Sequence, residues 1–312
     1  MPVQIIEGSE IADLISMKEA IIQMEWAFEK IYNNSKKIPI RSNIEFNETD
    51  SALVMPGFIE KHPYFICKVI NISSSRKPSI SGTINVYSIR SGNLLAIMDA
   101  GSVTQLRTGA ASGLATKYLS NEDSMFLCVF GTGAQAFSQI EAILEVRNIS
   151  NVGIVSTNDS KSLDFSKKIR EFFSIDCYPL DPHKIPQNSI ICTATTSQLP
   201  LFHNNDIPSG CHINAIGSYK PFSREIPSGI VIRSKVVVDD LKSCSIEAGD
   251  LIIPENEKRW SMEKIHCELG ELVLGLASAR ENNKEVTLFK SVGNVIQDLA
   301  IVNRIMDQLG KN

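Results

Sequence analysis

The sequence predicts an α/β protein in which a doubly wound parallel sheet is joined to a smaller α+β region. Residues 125 to 290 alternate between short apolar runs and helical patterns, which is typical of a parallel sheet built from βαβ units. Residues 51 to 99 instead carry short β-rich segments separated by turn residues, which favours an antiparallel sheet. The length of 312 residues gives room for about two such domains.

The α+β region begins with a helix. Ser16-Met17-Lys18-Glu19 is a capping box, and apolar residues recur at helical spacing from 20 to 31, so we expect a long amphipathic helix that ends at 33–35. Strands are expected at 52–55, 65–72, 83–88 and 94–99, with breaks at Pro56-Gly57, at Pro78 and at 91–93. A helix over 103–119, with a run of small residues at 108–113 that allows close packing, should bridge the two domains.

In the α/β region, six apolar segments are expected to form strands. They lie at 125–130, 152–155, 190–193, 212–216, 235–238 and 286–289. A helical pattern surrounds residues 165–173, and a final helix should run to about Leu309.

Composition and charge exclude several classes of partner. A net charge of −4 with no block of lysine or arginine leaves no basic surface for nucleic acid or an anionic membrane. The seven cysteines form no CxxC pair and lie mostly in apolar runs, which favours reduced thiols over disulfides or zinc. The five histidines show no ligand spacing, so no metal site is expected. No leader pattern and no run of roughly 18 apolar residues is found, so we expect a cytoplasmic protein.

One motif points to a cofactor. The apolar run MFLCVF leads directly into Gly131-x-Gly133-x-x-Ala136 and then into a helical pattern. In such a motif the first glycine permits a tight turn, the second lets the backbone approach a pyrophosphate, and the small third residue allows close helix packing. The strand before it and the helix after it favour a dinucleotide site over the alternative, a structural turn.

Several segments together resemble the ornithine cyclodeaminase and mu-crystallin family, in the family's order and over nearly the whole chain. They are KVIN (68–71), Asp99 with TQLRTGAA (104–111), GTGAQA (131–136), HINAIG (212–217), VVVDD (236–240), ELGE (268–271), TLFKSVGN (287–294) and QDL (297–299). The resemblance implies a Rossmann NAD(P)-binding domain over 119–291 and an α+β substrate-binding and dimerisation domain formed by 1–118 and 292–312. It also implies a homodimer built by the N-terminal sheet. Members are NAD(P)-dependent enzymes acting at the α-carbon of amino, imino or keto acids, and some serve instead as binding or lens proteins.

Three basic residues match the family's substrate-binding positions: Arg41, Lys68 and Arg107. An α-imino or α-keto acid is an anion, and the planar fork of arginine suits its carboxylate. The alternative for Arg41 is a solvated surface charge, and for Arg107 a pairing with Asp99 or Glu122. Lys68 interrupts an apolar strand, where an unpaired ammonium would be costly, and it is the best candidate for a proton donor.

Two further positions bear on the substrate. Thr83 matches a family position beside the substrate, with an ordinary strand threonine as the alternative. Tyr219 stands where cyclodeaminases and some alanine-oxidising relatives place an aspartate. A phenol with a pKa of about 10 is a poor base, so Tyr219 disfavours ornithine cyclodeamination and favours reduction of a preformed imine or keto acid. A role as pocket wall alone stays open.

The cofactor-binding prediction extends over four segments. They comprise Gly131, Thr132, Gly133, Ala134, Gln135 and Ala136; Ser156, Thr157 and Asn158; Thr193, Ala194 and Thr195; and, by family analogy, Ser291, Val292 and Gly293. An acid at the end of the second strand would bind the ribose 2′-hydroxyl and select NAD. Ser156 stands there instead with Lys161 nearby, which favours NADPH over NADH.

The sequence therefore predicts an NAD(P)H-dependent oxidoreductase that reduces a small cyclic imino acid, such as Δ1-pyrroline-2-carboxylate to proline. Ornithine cyclodeaminase and an amino-acid dehydrogenase such as alanine dehydrogenase are the enzymatic alternatives. A non-catalytic, NADPH-dependent ligand-binding protein is the alternative of another class.

Overall fold

The structure is a computed structural model that describes residues 2–34, 38–47, 50–73, 75–76 and 80–310. It divides into two compact units, Met1–Arg107 with Asn294–Asn312, and Thr108–Gly293. One boundary lies within helix α3 (Ala100–Leu119), after Arg107, and the other follows Gly293. The sequence analysis expected these boundaries at residues 118 and 292. The expected helix end at Ser35 and the turn at Pro78 lie outside the described residues.

The first unit contains a six-stranded sheet. Its strands are β1 (Gln4–Ile6), β2 (Ser42–Glu45), β3 (Asp50–Phe58), β4 (Tyr64–Ser73), β5 (Ile80–Ser88) and β6 (Leu94–Asp99), in the order β1-β6-β5-β4-β3-β2. Neighbours from β2 to β6 are antiparallel, and β1 pairs in parallel with β6. The four predicted strands and their antiparallel pairing are confirmed. The edge strands β1 and β2 were not predicted, because three residues in one and four exposed residues in the other show no apolar periodicity.

Three helices accompany this sheet: α1 (Gly8–Leu14), α2 (Met17–Asn34) and α10 (Val295–Gln308). The predicted capping box of α2 is confirmed, since Ser16 N donates to Glu19 Oε2 at 3.0 Å and Glu19 N donates to Ser16 Oγ at 3.2 Å. The final helix was correctly predicted and ends at Gln308.

The break predicted at Pro56-Gly57 is wrong, because β3 runs through both residues to Phe58. Strand β2 pairs with β3 only as far as Val54, so Pro56 lies on an unpaired edge where a missing N–H removes no ladder bond. Gly57 is needed for packing and not for a turn, since a Cβ built on it would lie 2.6 Å from Val295 Cγ1 of α10.

The second unit contains an eight-stranded, fully parallel sheet. Its strands are β7 (Phe126–Phe130), β8 (Asn151–Val155), β9 (Asp176–Pro179), β10 (Ile190–Thr193), β11 (His212–Ala215), β12 (Ser234–Val238), β13 (Cys267–Glu268) and β14 (Val286–Lys290). The strands lie in the order β13-β12-β14-β11-β10-β7-β8-β9. Along the chain, β8 and β9 are added on one side of β7, and the strands from β10 onward are added on its other side, so the strand order reverses between β10 and β7. This is the doubly wound arrangement that the sequence predicted, and ligands of such sheets bind at the carboxyl ends of the strands beside that reversal. The short strands β9 and β13 were missed.

Helices cover this sheet and a core lies on each of its faces. They are α4 (Ala134–Val146), α5 (Asp159–Phe173), α6 (Ser228–Arg233), α7 (Leu241–Glu247), α8 (Gly249–Asn256) and α9 (Leu269–Val273). Successive residues of β7 belong to different cores, Leu127 and Val129 to one, Cys128 and Phe130 to the other. An unbroken apolar run is what burial on both faces requires. Within the part of the chain that the structure describes, no helix is long and apolar enough to cross a membrane.

Candidate active site

The glycine turn after β7 has the geometry that a pyrophosphate requires. Gly131 has φ 113°, and a Cβ built on it would lie 2.5 Å from the carbonyl oxygen of Ala194. Gly133 is exposed, and among the described residues a Cβ built there meets nothing within 4 Å. Ala136 is completely buried in α4, which begins at Ala134. The turn therefore combines a glycine fixed by sterics, an open backbone position and the orphan N–H groups of a helix start, which fits a nucleotide pyrophosphate.

The carboxyl end of β8 carries no acid before Asp159. Ser156 Oγ accepts from Asn158 N at 3.3 Å, and Asn158 Oδ1 accepts from Lys161 N at 3.0 Å, which caps α5. Thr157 and Asn158 are exposed. The segment presents hydroxyl and amide groups where NAD-selective folds place a carboxylate.

A buried glutamate connects two of the predicted cofactor segments. Glu225 Oε1 accepts from Thr195 N at 2.8 Å and from Thr195 Oγ1 at 2.6 Å, while Oε2 accepts from Thr193 Oγ1 at 2.7 Å and from Gly217 N at 2.9 Å. The carboxylate is completely buried, and burial followed by repulsion from Asp250 raises its pKa, against the hydrogen bonds from the threonines. It therefore fixes the ends of β10 and β11 relative to each other. The Thr193 side chain has no exposed surface, and its hydroxyl group binds Glu225.

A buried lysine at the end of β14 supports the same region. Lys290 Nζ lies 2.7 Å from Asp250 Oδ2 and donates to the carbonyl oxygen of Ser218. Burial is the largest single effect and opposes its charge, but the attraction and hydrogen bond of Asp250, together with the attraction of Glu225, outweigh burial and raise the pKa of Lys290. Asp250 Oδ1 in turn accepts from Glu225 N at 2.7 Å, so the network is continuous.

The segment 291–293 is shaped by another buried acid. Asp239 Oδ2 accepts from Ser291 Oγ at 2.7 Å, from Val292 N at 2.9 Å and from Gly293 N at 2.7 Å. Gly293 has φ 85°, a conformation that favours glycine. These three residues were predicted to approach the nicotinamide, and that role stays a prediction.

In the first unit, the structure brings two of the three predicted cations to one buried acid, and the third lies close enough to affect one of them. Lys68 is completely buried on β4, and its Nζ lies 2.6 Å from Asp298 Oδ1 of α10. Arg107 Nε lies 3.6 Å from the same oxygen, and its Nη1 donates to Gln297 Oε1 at 2.9 Å. Arg41 is close enough to repel the charge of Lys68. The acid that the structure places beside Arg107 is Asp298; Asp99 and Glu122 were the partners named for the alternative in which Arg107 binds no substrate.

This environment makes the Lys68 ammonium an easy proton source. Burial is the largest effect and, with the charges of Arg107 and Arg41, lowers the pKa of Lys68 to about 8, although Asp298 opposes the shift. A lysine whose pKa lies near neutrality can give and regain a proton at physiological pH.

Thr83 and Tyr219 are the two remaining residues that were predicted to contact the substrate. Thr83 pairs with Val69, whereas Lys68 pairs with Ile84, so Thr83 is exposed on the opposite face of the sheet from Lys68. Tyr219 follows β11 in the second unit, where it is half-buried and packs against the core. Their assignment to the substrate stays a prediction.

Sequence reasoning missed the acids that organise these groups. Asp298, Glu225 and Asp239 are each almost fully buried and each binds residues that were predicted. Asp298 and Asp239 lie inside the QDL and VVVDD segments, where an acid among apolar residues was the available signal. Their partners are up to 230 residues away in the chain, which no local pattern reveals.

The model of the ornithine cyclodeaminase/mu-crystallin family matches residues 3–312. The chain belongs to this family. It is 33% identical over 312 residues to Δ1-pyrroline-2-carboxylate reductase of Bacillus cereus, covering 97% of this chain and 96% of that protein.

Two solved structures share the whole fold. The Thermococcus litoralis Δ1-pyrroline-2-carboxylate reductase in complex with NADH and L-proline is 34% identical with a TM-score of 0.93, covering 99% of this chain and 98% of that one. An archaeal alanine dehydrogenase dimer with bound NAD is 30% identical with a TM-score of 0.92, covering 100% and 98%. The predicted family and fold class are therefore confirmed.

Proposed function

We propose that this protein is an NAD(P)H-dependent reductase of small cyclic imino acids, with Δ1-pyrroline-2-carboxylate as substrate and proline as product. The observation that carries the proposal is the buried Lys68 grouped with Arg107 and Arg41 in a chain that is similar along its whole length to Δ1-pyrroline-2-carboxylate reductases. Three neighbouring positive charges repel each other, and an anion bound among them relieves that repulsion. The carboxylate of an α-imino acid is such an anion.

Each cation has a task in this reaction. Arg41, Lys68 and Arg107 together hold the substrate carboxylate, for which each guanidinium group offers two parallel donors. Reduction of an imine adds a hydride to carbon and a proton to nitrogen. The bound nicotinamide supplies the hydride, and Lys68 supplies or orders the proton.

The residues of the second unit hold the nucleotide. The glycine turn receives the pyrophosphate, and the segment 193–195, kept in place by Glu225, lines the nucleotide. Ser156, Thr157 and Asn158 accept a 2′-phosphate more readily than an acid would, so NADPH is the preferred cofactor and NADH the second. Structures of relatives contain NADH or NAD, which supports a nicotinamide cofactor.

A second candidate is an amino-acid dehydrogenase acting in the oxidative direction, favoured by the likeness to alanine dehydrogenase at 30% identity. Tyr219 in place of an aspartate favours reduction and disfavours ornithine cyclodeamination. A binding protein without turnover is the alternative of another class.

The protein is proposed to act in the cytoplasm as a homodimer. All seven cysteines are free thiols, which suits a reducing compartment. The sheet face that carries Thr83 also carries the apolar side chains of Phe65, Val69 and Tyr87, and Ile5 at its edge is 69% exposed. A second copy of the chain packed on this face would bury them, and Ile5→Glu should weaken the dimer in sedimentation analysis.

Oxidation of NADPH and NADH, followed at 340 nm, tests the proposal. The substrates are pyrroline-2-carboxylate, piperideine-2-carboxylate and pyruvate with ammonia, and a separate assay of ammonia release tests ornithine with NAD. We expect the highest kcat/KM with a cyclic imino acid and NADPH, and Lys68→Met should lose turnover. Full turnover in Lys68→Met would exclude Lys68 as the proton source, and ammonia release from ornithine would overturn the ranking. Nucleotide binding without any turnover would favour the binding protein.

A further inference from the structure

The acid that contacts Lys68 lies between two cations of the first unit. Asp298 is in the first turn of α10, and its Oδ1 is 2.6 Å from Lys68 Nζ and 3.6 Å from Arg107 Nε. The side chains of Lys68 and Asp298 both have no exposed surface.

The second oxygen of Asp298 argues against a purely structural pair. Oδ2 is buried and has no hydrogen-bond partner among the described residues. An unsatisfied buried oxygen destabilises a fold, and an apolar pair of the same size stabilises it as well as a buried ion pair or better. The acid is therefore best explained by what its charge does to Lys68.

The charged groups around Lys68 come from three elements. Arg107 on α3 and Arg41 before β2 repel the ammonium, and burial disfavours it further, whereas Asp298 on α10 attracts it. Burial, Arg107 and Arg41 thus all lower the pKa of Lys68, and Asp298 opposes them. Without it, the amine would be neutral over more of the physiological pH range and could neither bind a carboxylate nor give a proton.

We propose that Asp298 is a positioning residue that holds Lys68 in place and in its protonated form, so that the lysine can bind and protonate the substrate. The inference rests on the proposed function for the identity of that substrate. In this role Asp298 does not contact the substrate and acts on it only through Lys68.

The test is the pH dependence of ligand binding, which needs no turnover. Pyrrole-2-carboxylate, a planar carboxylate that hydride does not reduce, is titrated calorimetrically against the full-length protein from pH 5.5 to 9.5. Wild-type affinity should decline as pH rises through about 8, where Lys68 loses its proton. In Asp298→Asn the decline should begin about one pH unit lower, with about fivefold weaker binding at pH 8, about tenfold weaker binding at pH 9.5 and similar binding at pH 5.5.

Glu19→Gln is the matched control. Glu19 Oε1 lies 2.6 Å from Arg304 Nη2, so it also forms an acid–base pair with α10, but it lies outside the cation cluster. This variant should keep the wild-type pH profile. A uniform loss of affinity at every pH in Asp298→Asn, with an unshifted decline, would overturn the proposal, because it is what a structural role predicts.

A folding failure of Asp298→Asn is also informative. The double variant Lys68→Met with Asp298→Asn removes both buried charges, so it should fold if Asp298 acts through Lys68. A double variant as unstable as Asp298→Asn alone would contradict the proposal.

The outcomes separate this inference from the proposed function. A shifted pH decline in a protein that reduces no imino acid keeps the inference and removes the function. Normal imino acid reduction with an unshifted decline does the reverse. Failure of the wild type to bind pyrrole-2-carboxylate counts against the function, and thermal unfolding of the single and double variants then decides the inference.

Discussion

Alanine substitutions at the two glycines of the nucleotide turn should affect stability and cofactor binding to different extents. Gly131 adopts φ 113°, and its Cβ would lie 2.5 Å from a backbone oxygen, so Gly131→Ala strains the fold. The backbone conformation alone costs about 1–3 kcal/mol. For a unit of this size, a loss of about 2 kcal/mol lowers Tm by about 4–8 °C.

Gly133→Ala should leave the fold intact and weaken cofactor binding. Its φ of −90° suits alanine, and its Cβ meets nothing within 4 Å among the described residues, so the expected cost is that of a poorer N-cap, at most about 1 kcal/mol. The same open space is where the pyrophosphate must approach the backbone. Displacing the phosphates from one charge-assisted hydrogen bond costs about 1.5–3 kcal/mol, which is about a 10- to 100-fold rise in Kd.

Two measurements on the same samples decide between these effects. Thermal unfolding without cofactor reports the stability, and fluorescence titration with NADH and NADPH reports Kd. Gly131→Ala should lower Tm clearly and raise Kd, and Gly133→Ala should raise Kd with little change in Tm. Wild-type affinity in Gly133→Ala, or wild-type Tm in Gly131→Ala, would refute the assignment of this turn.

Three further predictions concern the cofactor, the buried network and the pH profile. Ser156→Asp places a carboxylate at the end of β8, so it should lower kcat/KM with NADPH by about tenfold or more while sparing NADH; equal loss with both cofactors would contradict the role of this segment. Glu225→Gln should raise the Kd for NADPH by about tenfold, because an amide nitrogen would face donors such as Gly217 N or Thr195 N; an unchanged Kd would remove this glutamate from cofactor positioning. In the wild type, kcat/KM for imine reduction should fall as pH rises through about 8, since Lys68 must be protonated to act, and Lys68→Arg should lack this decline because arginine does not titrate there; a decline that persists in Lys68→Arg would belong to another group.

The sequence predicted the parts of the fold that depend on local pattern. The run at 125–130 is apolar because β7 is buried on both faces, and Ser16 with Glu19 marks the start of α2 by chemistry within four residues. The edge strands could not be predicted in the same way, because β2 is exposed along its length and is formed only through pairing with β3. Pro56 indicated a break for the same reason, since only the sheet determines that it lies on an unpaired edge.

The candidate site was predictable where a residue type is improbable in its surroundings. Lys68 in an apolar strand required a partner, and the structure supplies Asp298. The identity of that partner was not predictable, because α10 follows β4 by more than two hundred residues and only folding brings them together. The strand register, which the sequence does not reveal, places Thr83 on the face opposite Lys68, and its assignment to the substrate stays a prediction.

Transfer of the hydride from the cofactor to the imino acid can be followed with an isotope. NADPH carrying deuterium at C4 of the nicotinamide, on the face that the enzyme uses, is incubated with Δ1-pyrroline-2-carboxylate, and the product is analysed by mass spectrometry. We expect proline that carries one deuterium at its α-carbon, with one cofactor oxidised for each proline formed. Proline without deuterium, or no proline while ornithine and NAD yield ammonia, would contradict it.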